Sequence, residues 1–150
     1  MSKRTIRDIE LYIVDVFVAV NAVAHYTTAF QNAKELRKNS LHWDAVIRQL
    51  EVIGEAINKL LDSEQFASQA PSYFRKIVNF RNAISHGYFG IDADEVWSVV
   101  TVNLSKLESD LKHIVCECGI DLTDAVNSVL EELNDLGDCQ NVEYLHQLIV

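Results

Sequence analysis

The chain has 150 residues, 49% of them apolar, which is enough for one domain with its own core. One proline and five glycines argue against a turn-rich β fold, and no twenty-residue apolar run is present, so a membrane span is not expected. The formal charge of −9 disfavours general nucleic-acid binding, but all 13 Lys and Arg lie in residues 1–118, and the seven acids of 119–150 carry most of the imbalance.

Met1-Ser2-Lys3-Arg4 leads into a charged amphipathic segment and does not read as a signal peptide. Residues 4–30 predict a long helix, with Ile6, Ile9, Ile13, Phe17, Val20 and Ala24 at spacings of three and four. Its most apolar stretch, Ile13 to Val23, is interrupted by Asp15 and Asn21. Residues 31–40 are polar and read as a connection. A second helix is expected from Leu41 to Leu61, with Val46, Leu50, Ile53, Ile57 and Leu60 as its stripe. Gly54 within it allows close approach of another helix. Arg48 and Glu51, three apart, suit a salt bridge, and Glu51 and Glu55 share a face. Residues 62–70 read as a polar linker.

Pro71 suits the first turn of a third helix, which carries Phe74, Ile77, Val78 and Ile84 and ends near Ser85 or His86. Gly87 fits the left-handed position just past a helix end, and Gly90 adds a second break. Asp92, with Glu95 three residues on, caps a fourth helix to about Glu117, with Val96, Val99, Val100, Leu104, Leu107, Leu111 and Ile114 inward. Gly119 stops it. Asp121 caps a fifth helix to Leu136, and Asn141 to Leu148 suit a short sixth. The expected architecture is all-α: an up-down helical bundle over 1–118, with an acidic helical extension over 119–150 packed on or beside it. Cys116, Cys118 and Cys139 read as reduced thiols of a cytoplasmic protein. No spacing suits a zinc site, and no cofactor is expected.

The segment Arg81-Asn82-Ala83-Ile84-Ser85-His86-Gly87-Tyr88 holds the chemistry. RNA can be cleaved without a metal when a base takes the 2′-hydroxyl proton, cations stabilise the phosphate and an acid protonates the leaving 5′-oxygen. Histidine titrates near neutrality and suits the proton transfers; the planar arginine fork suits the phosphate. The bare Arg-x4-His spacing is weak, since Arg37 to His42 repeats it where about 0.2 copies are expected by chance. Position decides in favour of Arg81 and His86: a helix end, two glycine breaks, a following Asn82, and Tyr88 just beyond. Five residues turn a helix by about 140°, so Arg81 and His86 do not share a face. Convergence requires the helix to end at His86, the arginine to curl round, or a two-fold homodimer to bring two sets into one cleft. Arg75, Lys76 and Ser85 are weaker substrate-binding candidates, and Arg37 and Lys38 similar ones. A cationic pair at a helix C-terminus also complements the helix dipole with no catalytic role.

The run from Phe80 to Gly90 resembles the active-site motif of HepT-like toxins of the HEPN superfamily. Arg48-Gln49-Leu50-Glu51-Val52-Ile53-Gly54-Glu55-Ala56 is similar to that family's second-helix signature, and Val96-Trp97 fits the start of its next helix. The resemblance covers roughly residues 4–115. It implies a homodimeric helical endoribonuclease, the toxin of a type VII toxin–antitoxin system, acting on tRNA or mRNA. Arg81 and His86 would be catalytic, with Asn82 supporting them. It further implies a MntA-like nucleotidyltransferase antitoxin that adenylylates Tyr88, placing anionic bulk beside the phosphate site. A non-catalytic HEPN binding partner of a nucleotidyltransferase and a plain helical dimerisation module remain open alternatives.

Overall fold

The computed structural model describes residues 2–86 and 90–148, with side chains from Ile9 onward. Every regular element among them is helical. In chain order these are α1 (Ser2–Thr27), α2 (Ala33–Lys38), α3 (Ser40–Leu60), α4 (Glu64–Gln69), α5 (Tyr73–His86), α6 (Ala93–Ser98), a π-helical turn (Val99–Asn103), α7 (Leu104–Glu117), α8 (Thr123–Leu136) and α9 (Cys139–Leu148). The result is the expected up-down helical bundle with further helices at its C-terminal end.

The long apolar stripes set the packing. The α1–α3 pair is the most extensive, followed by α3–α5, so α3 lies between the other two. Ile13, Val16, Phe17, Val20 and Val23 of α1 are 0–5% exposed and share one core with Trp43, Val46, Ile47, Leu50, Ile53 and Ile57 of α3. By length and composition alone Ile9–Thr27 is apolar enough to cross a bilayer, a test that a buried core helix also passes. Burial against α3 accounts for that apolarity within the bundle itself.

Two stretches expected to be irregular are short helices. Asn32 caps α2 by accepting from the Glu35 N–H at 2.9 Å, and Ala33 and Leu36 are buried. Ser63 caps α4 through the Phe66 N–H, with Phe66 buried. In both, one cap and one or two apolar anchors hold barely two turns, too short for a periodic signal. Pro71 lies two residues before α5 rather than in its first turn; its carbonyl accepts from the Phe74 N–H at 3.1 Å.

The expected helix over 93–117 is continuous but carries the π-helical turn, across which the Leu104 N–H reaches back five residues to the Val99 carbonyl. The extra residue in that turn shifts the inward face, so Val99 and Val100 are half-buried while Val96, Leu104, Leu107, Leu111 and Ile114 are buried. Gly119 ends α7 with φ +62, a left-handed position, and the Ile120 N–H closes onto the Val115 carbonyl at 3.0 Å. Asp121 accepts from the Thr123 N–H at 2.9 Å to start α8. Both α8 and α9 pack on α1, and Leu122, Ala125, Val126, Leu130 and Leu145 join the same core as the bundle. Asn21 of α1 donates to Asn141 Oδ1 of α9 at 2.8 Å.

Candidate active site

The site forms where α5 crosses α3. At the crossing, Gly54 faces Arg81: a Cβ at position 54 would lie 2.2 Å from Arg81 Cβ and 2.6 Å from its Cγ. No side chain larger than hydrogen fits there, so glycine lets the stem of Arg81 lie directly on α3. The guanidinium is then held from two sides. Nη2 donates to Glu55 Oε1 at 2.8 Å, and Nη1 donates to Asn82 Oδ1 at 3.1 Å. Nε is buried and has no hydrogen-bond partner among the described residues.

The Arg81 side chain is 32% exposed and that of Glu55 53%. An ion pair this wet contributes at most about 1 kcal/mol, so Glu55 orients the guanidinium more than it stabilises the fold. An incoming phosphate can therefore compete for it. Arg81 and Asn82 open into a cleft of about 270 Å³ with Tyr12 from α1, Glu55, Asn58 and Lys59 from α3, and Val78 from α5.

His86 is the last residue of α5 and is exposed; it does not line the Arg81 cleft. The described part of α5 runs to His86, and the helix end expected there falls on residues outside the described ones; one chain does not enclose Arg81 and His86 in the same cleft. Ser85 is exposed one turn beyond Arg81. Arg75 and Lys76 are exposed near the start of α5 and also lie outside the cleft; Lys76 borders a separate cavity of about 150 Å³ with Tyr73, Ile77 and Phe80. Tyr88 and Gly87 lie outside the described residues.

The competing Arg37–His42 pair is occupied elsewhere. The Arg37 guanidinium sits 5.0 Å from the centre of the buried Trp43 ring. His42, in the first turn of α3, contacts Asn39 Oδ1 at 2.9 Å and packs edge-on to Phe30. The expected Arg48–Glu51 bridge forms at 3.6 Å. Sequence reasoning missed that Glu55, one turn further, reaches across to Arg81. The adjacent Gly54, a point of close approach by its lack of a side chain, was the available signal.

The family described as Ribonuclease HepT-like matches residues 6–114, about three quarters of the chain and all of the Arg81–His86 segment. The chain belongs to the HepT-like family. A relative from Methanocaldococcus jannaschii, provisionally named an RNase, is 31% identical over 115 residues, covering 76% of this chain and 100% of its own. A second such protein of that organism is 26% identical over 110 residues, covering 73% and 88%. A Thermococcus cleftensis protein, provisionally named ribonuclease HepT, is 27% identical over 115 residues, covering 75% and 97%. No solved structure matches at the same significance. The family match ends inside α7, so α8 and α9 lie beyond it.

Proposed function

We propose that this HepT-like chain is a metal-independent endoribonuclease, the toxin of a toxin–antitoxin pair. The observation that carries the reading is the tethered guanidinium of Arg81, held by Glu55 and Asn82 in an open cleft. Arg81 neutralises the scissile phosphate. One His86 takes the proton of the 2′-hydroxyl, whose oxygen attacks phosphorus; the bond to the 5′-oxygen breaks, and the protonated His86 of the second copy gives its proton to that oxygen as it leaves. The products are a 2′,3′-cyclic phosphate and a 5′-hydroxyl. Since His86 lies outside the Arg81 cleft, the working site is assembled by a second copy of the chain, whose two-fold axis brings two Arg/His sets together. The test is cleavage of labelled RNA by the purified protein: Arg81→Ala and His86→Ala should each abolish most of the rate. Equal rates in wild type and both variants would overturn the reading.

The antitoxin is a MntA-like nucleotidyltransferase that adenylylates Tyr88. Co-expression with such an enzyme should add one or more adenylyl masses to the intact protein, and Tyr88→Phe should prevent it. An unchanged mass would remove this part alone.

The Glu55–Arg81 pair favours a second reading, because it gives Arg81 a counter-charge without any substrate. On that reading the chain is a non-catalytic binding partner of the nucleotidyltransferase. No RNA cleavage, with tight complex formation retained in His86→Ala, would select it.

A further inference from the structure

We infer that Lys59 and Tyr12 extend the Arg81 site into a subsite for one nucleotide of single-stranded RNA. Lys59 would be a second phosphate ligand and Tyr12 the wall against which the adjoining base stacks. The inference rests on the ribonuclease reading for its substrate class, and adds residues from α1 and α3 that the Arg81–His86 segment does not contain.

Lys59 lies four residues after Glu55 on α3, so both project from one face into the cleft that Arg81 and Asn82 close from α5. The cleft holds two cations against one carboxylate, in a chain whose overall charge is −9. Glu55 already engages Nη2 of Arg81, so Lys59 is the cation there with no carboxylate partner among the described ion pairs. The Arg81 side chain is 32% exposed at the cleft, so a phosphate oxygen can reach its guanidinium beside Lys59. Tyr12 is half-buried against the core, so its ring is backed by packing while it borders the cleft. A supported aromatic beside paired cations is the arrangement on which unpaired bases stack while the backbone is neutralised. At about 270 Å³ the cleft falls just below the ~300–1,000 Å³ that encloses a drug-sized ligand, so it takes one phosphate and its neighbouring base rather than a duplex.

The probe is a fluorescein-labelled, single-stranded ten-nucleotide RNA titrated with protein carrying His86→Ala, so that the RNA stays intact. In that background Lys59→Gln should weaken binding several-fold and flatten the slope of log affinity against log salt by about 0.7, with Lys59→Arg restoring both. Tyr12→Leu should weaken binding by roughly five- to a hundred-fold with little change in salt slope, and Tyr12→Phe should restore it. Circular dichroism identifies any variant that fails to fold, and the conservative member of each pair then carries the comparison. Affinity and salt slope unchanged by Lys59→Gln and Tyr12→Leu, while Arg81→Ala weakens binding, would overturn the subsite and leave the ribonuclease reading standing. The expected losses, with no cleavage by the wild-type protein, would retain the subsite and sink the ribonuclease reading. No binding at protein concentrations up to roughly 100 µM would overturn the subsite outright.

Discussion

Gly54 and Arg81 are packed so closely that the backbone of α3 and the side-chain stem of α5 occupy adjoining van der Waals surfaces, leaving no room for a methyl group between them. The position of the site thus depends on a missing side chain. Gly54→Ala would gain about 1 kcal/mol of helix propensity but must push α5 away from α3. With the added Cβ only 2.2 Å from Arg81 Cβ, the overpacking cost should sit near the upper end of roughly 1–3 kcal/mol and outweigh that gain by about 2 kcal/mol, so the variant should melt some degrees lower and cleave RNA far more slowly. Differential scanning calorimetry and a cleavage assay check both; a variant as stable and active as wild type would contradict the crossing geometry.

Arg81→Lys keeps the charge but cannot donate to Glu55 and Asn82 from one rigid plane. The expected result is a loss of roughly a hundred-fold in kcat with much of the RNA affinity retained, the separation that marks a lost transition-state contact. If Arg81→Lys lowers affinity alone, Arg81 serves as a point charge and not as an oriented fork.

A second cluster gives a pH signature. Tyr73 of α5 donates to Asp110 Oδ2 of α7 at 2.5 Å, and Lys106 donates to the same oxygen at 2.7 Å. The Lys106 and Tyr73 hydrogen bonds hold the Asp110 carboxyl below its ordinary 3.8, while burial, then the Asp110 bond and charge, push the Tyr73 phenol above its ordinary 10.0. Asp110 therefore contributes stability that is present above about pH 3.8 and is lost as the pH falls below it. Tyr73 contributes stability that is complete below pH 10.0 and is lost as the pH rises beyond. Melting curves across pH should show Asp110→Asn weakening the acid decline and Tyr73→Phe weakening the alkaline one. Profiles parallel to wild type in both variants would refute the link.

The helices beyond the family match should matter for stability more than for chemistry. Leu145 of α9 is fully buried in the shared core, so Leu145→Ala should cost about 2–5 kcal/mol. RNA cleavage per folded molecule should hardly change, because Leu145 does not line the Arg81 cleft. A melting temperature equal to that of wild type would mean that the extension is not part of the core.

The long helices were legible because their stripes repeat over several turns: the spacing of Val46, Leu50, Ile53, Ile57 and Leu60 is enough to define α3. The helices α2 and α4 were not, since six residues anchored by Leu36 or Phe66 carry no period. Of the candidate cleft, Arg81 and Asn82 were legible from the Arg81–His86 segment and the glycines that follow it in the sequence. Glu55, Lys59 and Tyr12 were not, because they meet Arg81 only through the crossing of three helices. Linear spacing reports neighbours on one helix and is silent about residues 26 positions apart, as Glu55 and Arg81 are.

The most direct measurement is product-end analysis of RNA incubated with purified protein in excess chelator. Wild type should leave 2′,3′-cyclic phosphate and 5′-hydroxyl ends, and Arg81→Ala or His86→Ala should leave the RNA intact. Cleavage that stops in chelator, leaves 5′-phosphate ends, or persists in both variants would contradict this mechanism.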